Sequence, residues 1–139
     1  MDHCVGTACI TTQIGKENYR TEIRGDGHVL ISDEPIELGG ANSGMNPVLL
    51  FLASLGSCTA ITLKMYCQRK NWIVDTIIVN LSMNVVKSDL HQTSYVDRHI
   101  QVTGDISDEN KKRLLNIADQ CPLHKIMSNP ISITTNILP

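Results

Sequence analysis

Aromatic side chains are scarce in this chain: one Phe, one Trp and three Tyr among 139 residues. That is too few rings for a base-stacking platform. Positive charge is not in surplus either. Twelve Lys and Arg face fourteen Asp and Glu, a net charge of −2, with an isoelectric point near 6.2. Nucleic acid and anionic membrane surfaces both require clustered cations, so neither is expected as a partner. The sequence also lacks repeats, low-complexity tracts and any CxxC or CxxC…HxxxH pattern. Its five histidines, His3, His28, His91, His99 and His124, share no ligand-like spacing on one element. His3, Cys4 and Cys9 are close in sequence only. No metal and no cofactor is expected.

A membrane span is missing as well. The longest apolar run, Val48 to Leu63, is about 16 residues, short of the roughly 17–25 that a span needs. It holds Ser54, Ser57, Thr59 and Thr62, and basic residues begin at Lys64. The polar first residues do not read as a secretory signal. Five cysteines, an odd number, then imply free thiols in a reducing, cytoplasmic setting.

What the chain does have is the stretch Asn46 to Trp72. Pro47 suits the first turn of a helix. Leu50, Phe51, Ser54, Cys58, Ile61, Thr62 and Met65 recur at helical spacing, and Leu52, Leu55, Thr59 and Leu63 fill another sector. A helix apolar on nearly every side needs partners on every side. One domain of 139 residues struggles to supply them, and a second copy of the chain is the simplest supply. The remaining elements follow in order. Strands are expected at about Val5–Ile14, Tyr19–Arg24 and His28–Ser32, with a tight turn at Gly25-Asp26-Gly27. After the long helix come strands at Ile73–Lys87 and Val96–Thr103. A helix capped by Ser107 runs to Cys121-Pro122, a short helix opens at Pro122, and a β-branched strand closes the chain at Ile131–Ile137. The order βββ-α-ββ-α-α-β is α+β with antiparallel sheets.

Chemistry points to two thiols. Cys58 lies inside the long helix among small residues, which let another group approach its sulfur. Cys121 would cap the helix that Pro122 opens, where unpaired amides favour a thiolate and place a sulfur able to resolve an oxidised partner. A free cysteine is more often buried and inert. Cys67, nine residues past Cys58, points from the opposite face. Arg20 and Arg24 share a strand face with Glu22, as surface residues of an edge strand also do. Arg98 shares the apolar face of Ile100 and Val102, so it needs a thiolate or carboxylate partner. His124 either donates to a thiolate at Cys121 or caps a turn.

The segments Asn46-Pro47…Leu55-Gly56-Ser57-Cys58-Thr59-Ala60 and Ile117-Ala118-Asp119-Gln120-Cys121-Pro122-Leu123-His124-Lys125 resemble the two cysteine motifs of the OsmC/Ohr family. Asp33-Glu34-Pro35, Gly39-Gly40 and Gly104-Asp105 extend the likeness over nearly the whole chain. The resemblance implies an intertwined homodimer with long central helices and a thiol peroxidase acting on organic hydroperoxides. Cys58 would attack, Cys121 would resolve as a disulfide, and an external dithiol would regenerate both. The family's activating arginine comes from the first hairpin, which favours Arg20, with Arg24 or Arg98 as alternatives. The family's orienting glutamate after Asn-Pro is replaced here by Val48 and Leu49, and Glu37 is the nearest other acid. That replacement keeps a second reading open: a non-catalytic stress protein that binds a small apolar ligand at the dimer interface.

Overall fold

A computed structural model describes residues 6–139, so the expectations that fall on His3, Cys4 and Val5 lie outside the described residues. The chain divides into two compact units, one up to Phe51 and one from Leu52 onward.

The first unit is an antiparallel meander of β1 (Thr11–Ile14), β2 (Thr21–Gly25) and β3 (His28–Ser32). Gly25 pairs with His28, leaving a two-residue loop in which Asp26 and Gly27 both have positive φ. That is the turn a tight hairpin favours, and Asp-Gly supplies it at little steric cost. β1 is shorter than the Thr-rich sequence suggests. After β3 the chain is tied down by one carboxylate. Asp33 is buried and accepts from the amides of Glu34, Ala41 and Ser43 and from the Ser43 hydroxyl. The Ser43 hydroxyl in particular, opposed by burial, holds the Asp33 carboxyl below its usual value. Gly40 belongs to this knot, since a Cβ there would lie 2.0 Å from the Glu34 carbonyl oxygen.

Helix α1 spans Pro47–Arg69, as the sequence suggests, and the Asn46 side chain accepts from the Leu49 amide at its start. At 23 residues it outruns the apolar run, and by length and composition alone it could cross a membrane. Within the chain only one stripe of it is buried, not the whole circumference. Leu55, Thr59, Leu63, Tyr66 and Cys67 are buried.

In the second unit, α1 is followed by the long antiparallel pair β4 (Ile73–Lys87) and β5 (Gln92–Asp105). A bulge at Val74/Thr76 bends the start of β4 opposite Gly104, whose φ is +136°. A Cβ on Gly104 would come within 2.6 Å of the Ile73 carbonyl oxygen, so only glycine lets the strands close there. Helix α2 (Asp108–Ala118) starts on Ser107, whose hydroxyl accepts from the Asn110 amide, and it ends before the Cys121-Pro122 pair. Helix α3 (Pro122–Met127) follows. Leu63, Tyr66, Cys67, Val74, Val102, Leu114 and Ala118 form one core between α1, the β4–β5 pair and α2.

The final strand is a correction. Residues 131–137 form no strand with the described residues, and Ile131, Ile133 and Ile137 are exposed. β-branched content becomes a strand only through cross-strand pairing, and among the described residues no strand edge takes this segment.

Candidate functional site

The helix phase that sends Leu55, Thr59 and Leu63 into the core turns the neighbouring Cys58 partly outward, while Cys67 is buried in the core. Among the described residues Cys58, Cys67 and Cys121 are free thiols, whereas Cys9 is disulfide-bonded, which corrects the expectation of free thiols at that position.

Cys121 arrives from the far end of α2. Pro122 cannot continue that helix and instead opens α3, so Cys121 becomes the cap of α3 and its sulfur accepts from the His124 amide at 3.4 Å. The residue is fully buried. Its sulfur and that of Cys58 are near enough for each to shift the other's titration. The two cysteines named from the sequence are therefore brought together, and Cys67 stays apart from them.

The pair is electrostatically uneven. Burial pushes the Cys58 thiol above its ordinary value; the Leu123 amide opposes this, while the thiol and charge of Cys121 add to it. Burial also acts against the Cys121 thiolate. There it is outweighed by the His124 amide, the Cys58 thiol, the Leu123 amide and the Thr59 hydroxyl, so this thiol falls below its ordinary value. The thiolate form is therefore favoured more at Cys121 than at Cys58.

Arg98 extends from β5, opposite Leu81, with a side chain only 12% exposed. It finds a carboxylate rather than a thiolate. Nη1 donates to Thr59 Oγ1 at 3.0 Å, and Nη2 donates to Asp119 Oδ1 at 2.9 Å and lies 3.2 Å from His124 Nδ1. A guanidinium has no acceptor, so His124 Nδ1 accepts and a neutral His124 carries its proton on Nε2. The Thr59 hydroxyl donates in turn to the Leu55 carbonyl at 2.7 Å.

The other two candidate arginines, Arg20 and Arg24, belong to the first unit. Arg24 pairs with Glu22 at 2.5 Å and reaches Gln13 Oε1 at 3.4 Å, so its charge is committed. Arg20 stands just before β2 and lines a polar cleft with Gln13, Lys16, Glu17 and Glu22. Glu37 lies exposed in the 3-10 turn Ile36–Leu38. Among the described residues no three His, Cys, Asp or Glu side chains group as metal ligands.

Sequence reasoning missed Asp119 and Thr59. Asp119 sits two residues before Cys121, and Thr59 directly follows Cys58. A buried arginine that requires a carboxylate was the available signal, but sequence spacing could not say which carboxylate.

Solved structures with the same fold include an OsmC-like protein from Mycoplasma pneumoniae, at 16% identity over 88% of each chain with a TM-score of 0.76. An organic hydroperoxide resistance protein from Elizabethkingia anophelis matches at 21% identity over 91% of each chain, TM-score 0.67. The organic hydroperoxide resistance protein OhrB of Bacillus subtilis matches at 24% identity over 88% of this chain and 90% of that one, TM-score 0.62. At these identities the likeness is one of fold. No curated protein matches the sequence. The family model described as OsmC-like protein matches residues 40–136, which take in α1, both site cysteines and Arg98, and this chain belongs to that family.

Proposed function

We propose that this protein is a cysteine-based peroxidase that reduces organic hydroperoxides. The observation that carries the reading is the free Cys58–Cys121 pair, with one sulfur partly exposed and the other fully buried beside it. Exposure divides the roles. Only Cys58 can meet a substrate oxygen, and Cys121 waits behind it.

The Cys58 thiolate attacks the O–O bond, giving a Cys58 sulfenic acid and an alkoxide that leaves as the alcohol after taking a proton. The Cys121 thiolate then displaces hydroxide from the Cys58 sulfur, forming the disulfide, and the hydroxide takes a proton to leave as water. An external dithiol reduces the disulfide and is itself oxidised. Attack requires Cys58 to lose the proton that burial and Cys121 hold on it. Arginine suits the task of stabilising that thiolate, because its charge survives burial. Arg20 is assigned this role because Arg24 is already paired. Arg20→Met should then slow the attack by about tenfold or more, roughly 1.4 kcal/mol of transition-state stabilisation.

The working unit is proposed to be a homodimer. Val48, Leu49, Phe51, Ile61 and Met65 of α1 remain exposed, a burden that a second copy would relieve. The second reading, a binder of a small apolar ligand, is favoured by one observation: a mainly apolar hollow lined by Ala60, Ile61, Val74 and Ile77, with Lys64 and Asp75 at its side. Stopped-flow mixing with cumene hydroperoxide separates the two readings. The peroxidase reading expects rapid consumption by the wild type and none by Cys58→Ser. Equal rates for the two proteins would leave only the binder.

A further inference from the structure

Arg98 touches both halves of the cysteine pair without touching the reacting sulfur. Through Nη1 it holds Thr59, the residue next to Cys58 on α1. Through Nη2 it holds Asp119 and His124, which flank Cys121 on either side. His124 is itself anchored twice, because its backbone amide donates to the Cys121 sulfur while its ring accepts from Arg98. Three separate elements (α1, the end of α2 and α3) thus converge on one guanidinium carried by β5.

We propose that Arg98 is a positioning residue for closing the Cys58–Cys121 disulfide, acting through Thr59, Asp119 and His124 to keep the Cys121 turn seated on α1. The proposal deepens the two-cysteine reading above and rests on it for its biological meaning. Disulfide formation has narrow geometric demands, including Cβ atoms about 3.5–4.5 Å apart and a dihedral near 90°. A turn that is free to drift from α1 meets these demands only part of the time. The planar fork of arginine can hold a hydroxyl on one arm and a carboxylate with an imidazole on the other. A lysine, with one compact ammonium, cannot span all three. The proposal also separates two steps that a thiolate-activating arginine would merge. Removing an activator slows the attack on the hydroperoxide. Removing a clamp slows the second step, in which Cys121 expels hydroxide from the Cys58 sulfenic acid.

The test reads the two steps separately on the reduced full-length protein. Closure of Cys58–Cys121 is followed with saturating diamide, a diazene that takes up the two thiol hydrogens and leaves as a hydrazine. Intrinsic access to Cys58 is followed by its iodoacetamide alkylation. In Arg98→Met, closure should slow at least about tenfold more than alkylation does, since small misplacements of reacting groups carry penalties of that size. Arg98→Lys should recover part of the closure rate. Protection of Cys67 from alkylation should persist, which a general loosening of the core would not allow. If Arg98→Met is folded and closes at the wild-type rate, the proposal is overturned. It is equally overturned if alkylation falls as far as closure, because Arg98 would then act on Cys58 itself. Should Arg98→Met fail to fold, Thr59→Val and Asp119→Ala each remove one anchor, and wild-type closure in both would contradict the clamp. Repeating the assay with cumene hydroperoxide distinguishes the two claims. Wild-type protein inert to hydroperoxide but dependent on Arg98 for diamide closure would sink the peroxidase reading and leave the clamp standing.

Discussion

Cys58 and Cys121 are neighbours that pull each other's protonation in opposite directions. The Cys58 thiol is raised by burial first, and then by the thiol and charge of Cys121. Its alkylation should therefore climb with pH through a midpoint above that of an ordinary thiol, because only the thiolate reacts. Cys121→Ser removes the second and third of these effects but leaves burial in place. The midpoint for Cys58 should fall in that variant. A midpoint that stays fixed or moves upward would mean the two sulfurs are not coupled. Much of this pair was legible in the sequence. Pro122 marks Cys121 as a cap, and small residues around Cys58 mark an approachable sulfur. The unevenness was not legible, because it depends on where the amides of Leu123 and His124 point once α3 has formed. Arg98 was readable as a core-facing cation that needs a partner. That the partner would be Asp119 rather than a thiolate follows only from the way β5 lies across the break between α2 and α3.

Among the elements, α1 carries the most consequence. Its N-terminus was readable from Asn-Pro, and its buried stripe follows helical phase. Leu63 is fully buried in the core formed with β4, β5 and α2, so Leu63→Ala should cost about 2–5 kcal/mol in urea unfolding. Asn46→Ala removes the acceptor for the Leu49 amide and should cost only about 1 kcal/mol. Equal losses for the two variants would contradict the packing described for α1. Elements whose stability is local or paired within the chain were read well: the β4–β5 pair, the Asp26-Gly27 hairpin and the Ser107 cap. The segment at 131–137 has the sequence of a strand but forms none, for the converse reason. Alternating β-branched residues express a preference that an unpaired segment cannot satisfy.

At the scale of the molecule, the exposed face of α1 is the feature that calls for a second copy. A homodimer that buries it should have a large apolar interface, of the order of 2,000 Å² in total. Light scattering should return twice the chain mass at micromolar concentration. Ile61→Lys, which sets a charge on that exposed face, should shift the population toward monomer. A wild-type monomer would remove the dimer from the account and leave the cysteine chemistry untouched. The central claim is that Cys58 and Cys121 form one redox unit with hydroperoxide as the oxidant. Its most direct test adds one equivalent of cumene hydroperoxide to the reduced protein, then alkylates and maps the peptides. The expected product is a Cys58–Cys121 disulfide within one chain, with Cys67 still reduced. A dominant disulfide that includes Cys67, or Cys58 and Cys121 both recovered as alkylated thiols, would contradict it.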